Sequence, residues 1–160
     1  MRVTTTCSSL VGGVILCALV LFLSGCKSKP PQYPEDHARF ERIVAAIDHL
    51  RNAYQDKDAD ALRELMLPLE GLGRLQRTIK IDFETYDKIH LDFTIERMTI
   101  NGGRATVNVR WEGEWQRQGQ FVGKTEQGHG VLIWSGKQVI LLADIDGDLP
   151  FGMAARESLS

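Results

Sequence analysis

Ile89-His-Leu-Asp-Phe-Thr-Ile-Glu-Arg-Met-Thr-Ile100 is the stretch where the chain changes rhythm. Leu91, Phe93 and Ile95 alternate with Asp92, Thr94 and Glu96, the period of two expected of a strand with one face in a core. The apolar set then moves by one position, to Met98 and Ile100. A shift of one residue within a strand predicts a bulge near Glu96-Arg97, where an extra residue re-aims the side chains that follow.

N-terminal to this stretch the period is helical. Glu35 and Asp36 open a helix at the end that favours negative charge. Phe40, Ile43, Val44, Ile47, Leu50 and Tyr54 follow at spacings of three and four, a single apolar stripe. Gln55-Asp-Lys-Asp58 interrupts it, and Asp58 is a suitable N-cap for a short second helix lined by Ala61, Leu62, Leu65 and Met66. Pro68 stops that helix. A third helix is predicted from about Glu70 to Tyr86, with Leu72, Leu75, Ile79, Phe83 and Tyr86 on one face and a first turn weakened by Gly71 and Gly73.

C-terminal to it, Asn101-Gly-Gly103 signals a hairpin turn. Ala105, Val107, Val109, Trp111 and Trp115 then alternate with polar residues. Residues 119–123 read as a loop, 130–134 as a third strand and 135–138 as a tight turn. The run from Val139 to Ile145 predicts a last strand buried on both faces. The fold class is α+β: three helices packed on a curved antiparallel sheet of about four strands, in a single domain over 35–153 with a tail at 154–160.

Ala53-Tyr-Gln-Asp-Lys-Asp-Ala-Asp-Ala-Leu-Arg-Glu-Leu-Met66 resembles the helix–turn–helix opening of the nuclear-transport-factor-2-like superfamily. The resemblance implies a cone, with helices lying in the concave side of the sheet and often enclosing an apolar pocket. It covers residues 35–148. Ketosteroid isomerases, polyketide cyclases, scytalone dehydratases and many non-catalytic modules share that cone, so fold does not decide function. The enzymes use an Asp base or an Asp–His pair with polar donors. That set does not transfer to this sequence, since Asp92 alternates with core-facing Leu91 and Phe93 and so faces away from the cone.

The first 25 residues read as a signal peptide. Arg2 is the positive n-region, Leu10–Leu23 an apolar core too short to span a bilayer comfortably, and Leu23-Ser-Gly-Cys26 a lipobox with the small Gly25 before the cleavage point. Cleavage after Gly25 would leave Cys26 to carry a lipid, the one covalent group expected and no other cofactor. Residues 26–34 hold Pro30, Pro31 and Pro34, an extended tether. By resemblance to lipoproteins of diderm bacteria the domain faces the periplasm. Lys27, in place of an Asp, favours the outer membrane.

Of the 160 residues, 135 remain after residue 25, carrying 18 basic and 21 acidic side chains, a net charge of −3. No basic face stands out, which argues against nucleic acid as a partner. Cys7 and Cys17 leave with the signal and Cys26 is lipidated, so the mature domain has no disulfide.

No reaction can be written from the remaining motifs. Asp144-Ile-Asp-Gly-Asp148 lacks the sixth-position Gly and twelfth-position Glu of a calcium loop, Leu149 and Ala155 standing there instead. Glu112 and Glu114 lie on one face of one strand, unsuited to flanking a glycosidic bond. His37, His49, His90 and His129 have no metal-ligand spacing, although His129 stands between glycines where backbone could approach a ligand. Gly71-Leu-Gly73 lacks the strand that precedes a phosphate loop. Trp111, Trp115 and Trp134 suit a core, a pocket or an interface.

The leading expectation is a non-enzymatic binding module tethered to the membrane, with an envelope protein, a small apolar ligand or a second copy through the sheet as partner. The alternative is a cone-pocket hydrolase, isomerase or dehydratase acting on a small hydrophobic substrate. Its candidate polar groups are Tyr54, Tyr86, His90, His129 and Asp144. A third reading has Leu149-Pro-Phe-Gly-Met153 docking on a neighbouring subunit if it is exposed.

Overall fold

Asp58 caps its helix as its position demands, its carboxylate accepting the backbone N–H groups of Asp60 and Ala61. That cap turns the chain between α1 (Pro34–Gln55) and α2 (Ala59–Glu64), and α3 (Glu70–Thr85) follows. The computed structural model describes residues 34–157. The proposed cleavage and lipidation site, Gly25 and Cys26, lies outside the described residues, as does the tether up to residue 33.

Strands β1 (Lys88–Asn101), β2 (Arg104–Gln116), β3 (Lys124–Ser135) and β4 (Leu141–Gly147) form one antiparallel sheet in the order β1-β2-β3-β4. The register between β1 and β2 shifts between Ile95 and Arg97, so the bulge falls at Glu96, where the apolar phase moves. A second shift, between Ile133 and Trp134, bends the β3–β4 pair. The two bulges strengthen twist and curl the sheet around the helices. A fourth helix, α4 (Met153–Glu157), ends the described chain.

The inner face of the sheet carries Leu91, Ala105, Val107, Val109, Trp111, Trp115, Leu132, Trp134 and Leu142, all buried. Ile43, Ile47, Leu50 and Tyr54 of α1 and Leu72, Leu75 and Ile79 of α3 complete the core. Ile43, Ile47, Leu50 and Tyr54 of the α1 stripe therefore pack as their spacing requires, while Val44 is half-buried and Phe40 is left 40% exposed. Near it the long side chain of Arg39 lies buried and donates to the Gly102 carbonyl, while Arg42 reaches the Lys137 carbonyl at 3.0 Å. These two contacts bring the start of α1 to the sheet end formed by the β1–β2 and β3–β4 turns.

Three expectations are corrected. Strand β3 begins at Lys124, six residues before Gly130, because its first inner positions face the C-terminal segment and need no apolar period. Strand β4 is not buried on both faces. It is an edge strand with Asp144 and Asp146 exposed, and Val139 belongs to the preceding turn, 69% exposed. Its outer edge is covered at one point, where Leu67 donates to Leu142 and Leu142 to Leu65, both at 2.8 Å. Folded structure also continues past residue 153, because α4 carries the buried Ala154 and runs to Glu157.

Candidate functional site

Asp82 is the polar centre of this core. It stands on α3 two turns beyond Leu75 and three residues after Ile79, so the helical period turns it inward among apolar neighbours. It is wholly buried. A carboxylate there must be hydrogen-bonded or the fold would not tolerate it. Its Oδ2 accepts the Tyr54 hydroxyl at 2.8 Å and the Gly152 N–H at 2.6 Å, and its Oδ1 accepts the Ala154 N–H at 2.8 Å. Trp115 Nε1 donates to the Tyr54 oxygen at 3.1 Å, and the Pro150 carbonyl lies 3.0 Å from the same hydroxyl.

The network joins α1, α3, β2 and the segment after β4. Burial raises the Asp82 pKa, opposed by the N–H of Ala154, the Tyr54 hydroxyl and the N–H of Gly152. Burial, with the Asp82 charge second, pushes the Tyr54 phenol well above its ordinary value.

Residues 148–157 form a strap across the mouth of the cone. Leu149, Phe151 and Met153 point inward and are buried. Phe151 meets Tyr54 edge to face, ring centroids 5.0 Å apart at 89°. Trp111 Nε1 donates to the Asp148 carbonyl at 2.7 Å, and Asp148 N donates to the His129 carbonyl at 3.1 Å. A Cβ at Gly128 would come within 2.7 Å of Asp148, and one at Gly130 within 2.5 Å of Leu149. The glycines flanking His129 do admit a close approach, and what approaches is this chain's own strap.

Outside, Arg156 pairs with Asp148 at 2.6 Å, and Glu157 pairs with Arg117 at 2.6 Å and Lys124 at 3.2 Å. Burial would raise the Glu157 pKa, but Lys124 and Arg117 outweigh it and hold the carboxyl below its ordinary value. Burial and the neighbouring Glu157 push the Tyr86 phenol up to about 12.

The candidates named from sequence divide between two sides of the sheet. Tyr54, Tyr86, Trp111, Trp115 and Trp134 are all buried within the cone. Trp111 and Trp115 pack edge to face at 6.1 Å, and the Trp115 indole lies over Gly113, where a Cβ would come within 2.4 Å of it. His90, His129 and Asp144 do not join them. His90 is exposed beside Asp92 at 3.2 Å, and His129 is exposed beside Glu96 at 3.3 Å. His129 lies within β3, opposite Arg110, and not in a turn. Asp144 accepts the N–H of its neighbour Ile145 at 2.9 Å and faces solvent. The segment Leu149–Met153, read as a docking element if exposed, is instead buried in the cone.

Asp82 itself is missing from the sequence candidates. Its signal was present: positions 75, 79, 82 and 86 make one helical stripe, and an Asp at such a position needs buried partners.

Neither a family model nor a curated relative matches the chain. Solved structures do. A nuclear transport factor 2-like superfamily protein from Salmonella enterica aligns with a TM-score of 0.59 at 11% identity, covering 74% of this chain and 96% of that one. A candidate scytalone dehydratase from Novosphingobium aromaticivorans gives 0.61 at 7% identity, covering 73% and 93%. A conserved protein from Planctomyces limnophilus gives 0.59 at 16% identity, covering 68% and 97%. With helices laid in a curved four-stranded antiparallel sheet, the chain has the nuclear-transport-factor-2-like cone fold.

Proposed function

We propose that this protein is a lipid-anchored envelope module whose cone-fold domain binds a partner or a small apolar molecule without turning it over. The observation that carries this reading is the filled cone. Leu149, Phe151 and Met153 occupy the interior where a substrate would lie, and the exposed His90, His129 and Asp144 stand outside it. The lipobox Leu23-Ser-Gly-Cys26, followed by a Pro-rich tether, supports anchoring at the membrane, and Lys27 supports the outer membrane. An envelope protein or a second copy docking through the sheet belongs to the same reading.

Anchoring is tested by replacing Cys26 with Ser and labelling cells with an alkyne fatty acid. The wild-type chain should take up label and fractionate with membranes, and the variant should do neither. Label retained on the variant would remove the lipobox from the account.

A second reading, a cone-pocket isomerase or dehydratase, is favoured by one observation: a buried carboxylate bonded to a tyrosine hydroxyl at 2.8 Å. It requires the strap to leave the cone. A small-molecule mass retained by the purified domain in native mass spectra, and enriched on widening the interior with Phe151→Ala, would favour it.

A further inference from the structure

On the outside of the domain a cleft of about 340 Å³ opens between α2 and α3. Its volume falls within the range of natural ligand sites. Leu62 and Ile79, each 2% exposed, form the floor, and the half-buried Phe83 closes one side. Arg63, Arg77 and Lys80 stand around it, and no acidic side chain lines it. Asp60 pairs with Arg63 at 2.6 Å and Glu84 with Lys80 at 3.8 Å, both pairs largely exposed. Arg77 has no ion-pair partner among the described residues.

We infer that this cleft binds a single-chain anionic amphiphile of the fatty-acid type, its chain on Leu62, Ile79 and Phe83 and its headgroup at Arg77 and Lys80. The inference deepens the reading of the domain as a binding module by naming a ligand class. Charge complementarity selects the headgroup. A cationic head would meet the like charges of Arg77 and Lys80, whereas a carboxylate supplies the two-oxygen acceptor that a guanidinium fork matches. The mainly apolar lining of the cleft selects a chain rather than a free anion, since each buried methylene raises affinity roughly fourfold.

Gly73 gives a clean way to block the cleft. It lines the wall within α3, and a Cβ there would meet nothing nearer than the far end of Arg77 at 3.9 Å. Gly73→Leu therefore adds a side chain in open space while improving helix propensity. It should melt no lower than the parent, so lost binding would not reflect lost fold.

The test is calorimetric titration of residues 27–160, which contain every described element, with sodium dodecanoate, octanoate and dodecylammonium chloride. The expected result is saturable one-to-one binding of dodecanoate, weaker for octanoate, and weaker by about tenfold for dodecylammonium. Arg77→Glu should weaken dodecanoate by about tenfold, and Gly73→Leu should abolish it. Absence of saturable dodecanoate binding, binding indifferent to Gly73→Leu, or equal binding of both headgroups would each overturn the assignment. The titration needs no acyl anchor, so it stands or fails separately from Cys26 lipidation. Wild-type chains that bind dodecanoate but take up no fatty-acid label would refute the anchor and leave the cleft intact.

Discussion

Asp82–Tyr54 and Glu96–His129 are both acid-bearing pairs at close range, 2.8 Å and 3.3 Å, yet they do opposite things for the fold. The first is sealed in the cone with each carboxylate oxygen accepting backbone N–H groups from the strap. The second is open to water, His129 65% and Glu96 43% exposed. A charge in water has solvent as an alternative partner and gains little from its neighbour. A buried carboxylate has no alternative, so every donor aimed at it becomes structural. The strap is therefore seated by polar bonds at its centre and apolar side chains around them.

Replacing Asp82 is expected to have the largest effect. Asp82→Asn keeps the volume but turns an NH₂ group toward N–H donors, leaving the Gly152 or the Ala154 amide without an acceptor. It should destabilise the domain by about 3 kcal/mol, read by urea unfolding, with loss of protection at the strap amides in hydrogen exchange. Burial raises the native pKa of Asp82 above the ordinary 3.8. The native state then holds this proton more tightly than the unfolded chain, and stability from this group falls as pH rises from 3.8 through the native value. Asparagine does not titrate, so the deficit of the variant should be greatest in acid and shrink across that window. A deficit that grew with pH would mean the backbone donors outweigh burial at this carboxylate.

The contrast between the pairs also explains what the sequence could and could not disclose. The N-cap at Asp58, the α1 stripe and the bulge at Glu96 are local, each written in consecutive residues by one period or its interruption. The length of strand β3 is hidden in the sequence because Lys124 and Gly128, inward positions near its start, meet Glu157 and Asp148 instead of an apolar core. The apolarity of Val139 and Ile140 imitates a buried strand, whereas the turn that follows Ser135 carries Val139 outside. The role of Asp82 is not local, because its partners lie 28 and 70 or more residues away. The two glycines beside His129 suggest room for a ligand, but their space is taken by Asp148 and Leu149, a contact only the fold creates.

Glu157 tests the outer fastening of the same strap. Its carboxyl is held below its ordinary value, the pull of Lys124 and Arg117 exceeding the effect of burial. A depressed native pKa adds stability above the unfolded value of 4.5, lost as pH falls through the native one. Glu157→Gln should lower Tm slightly at neutral pH, and the gap to wild type should close in acid. This trend is opposite to that of Asp82, so the two variants separate the inner from the outer attachment in one pH series. High salt should narrow the Glu157 gap, because the pairs are screened at the surface, and leave the Asp82 gap almost unchanged.

The exposed pair should matter least. His129→Ala removes a side chain that faces solvent beside Glu96 while keeping the backbone carbonyl that Asp148 uses. Only that carbonyl connects His129 to the strap, so a change within about 0.5 kcal/mol is expected, with strap amides exchanging as in the wild type. A larger loss, reproduced by Glu96→Gln and not additive with it, would show the outer pair coupled to the fold. The bulge at Glu96 offers the route, since it sets the β1–β2 register on which Trp111 and Trp115 depend. Such coupling would collapse the distinction between the two pairs, and additivity would keep it.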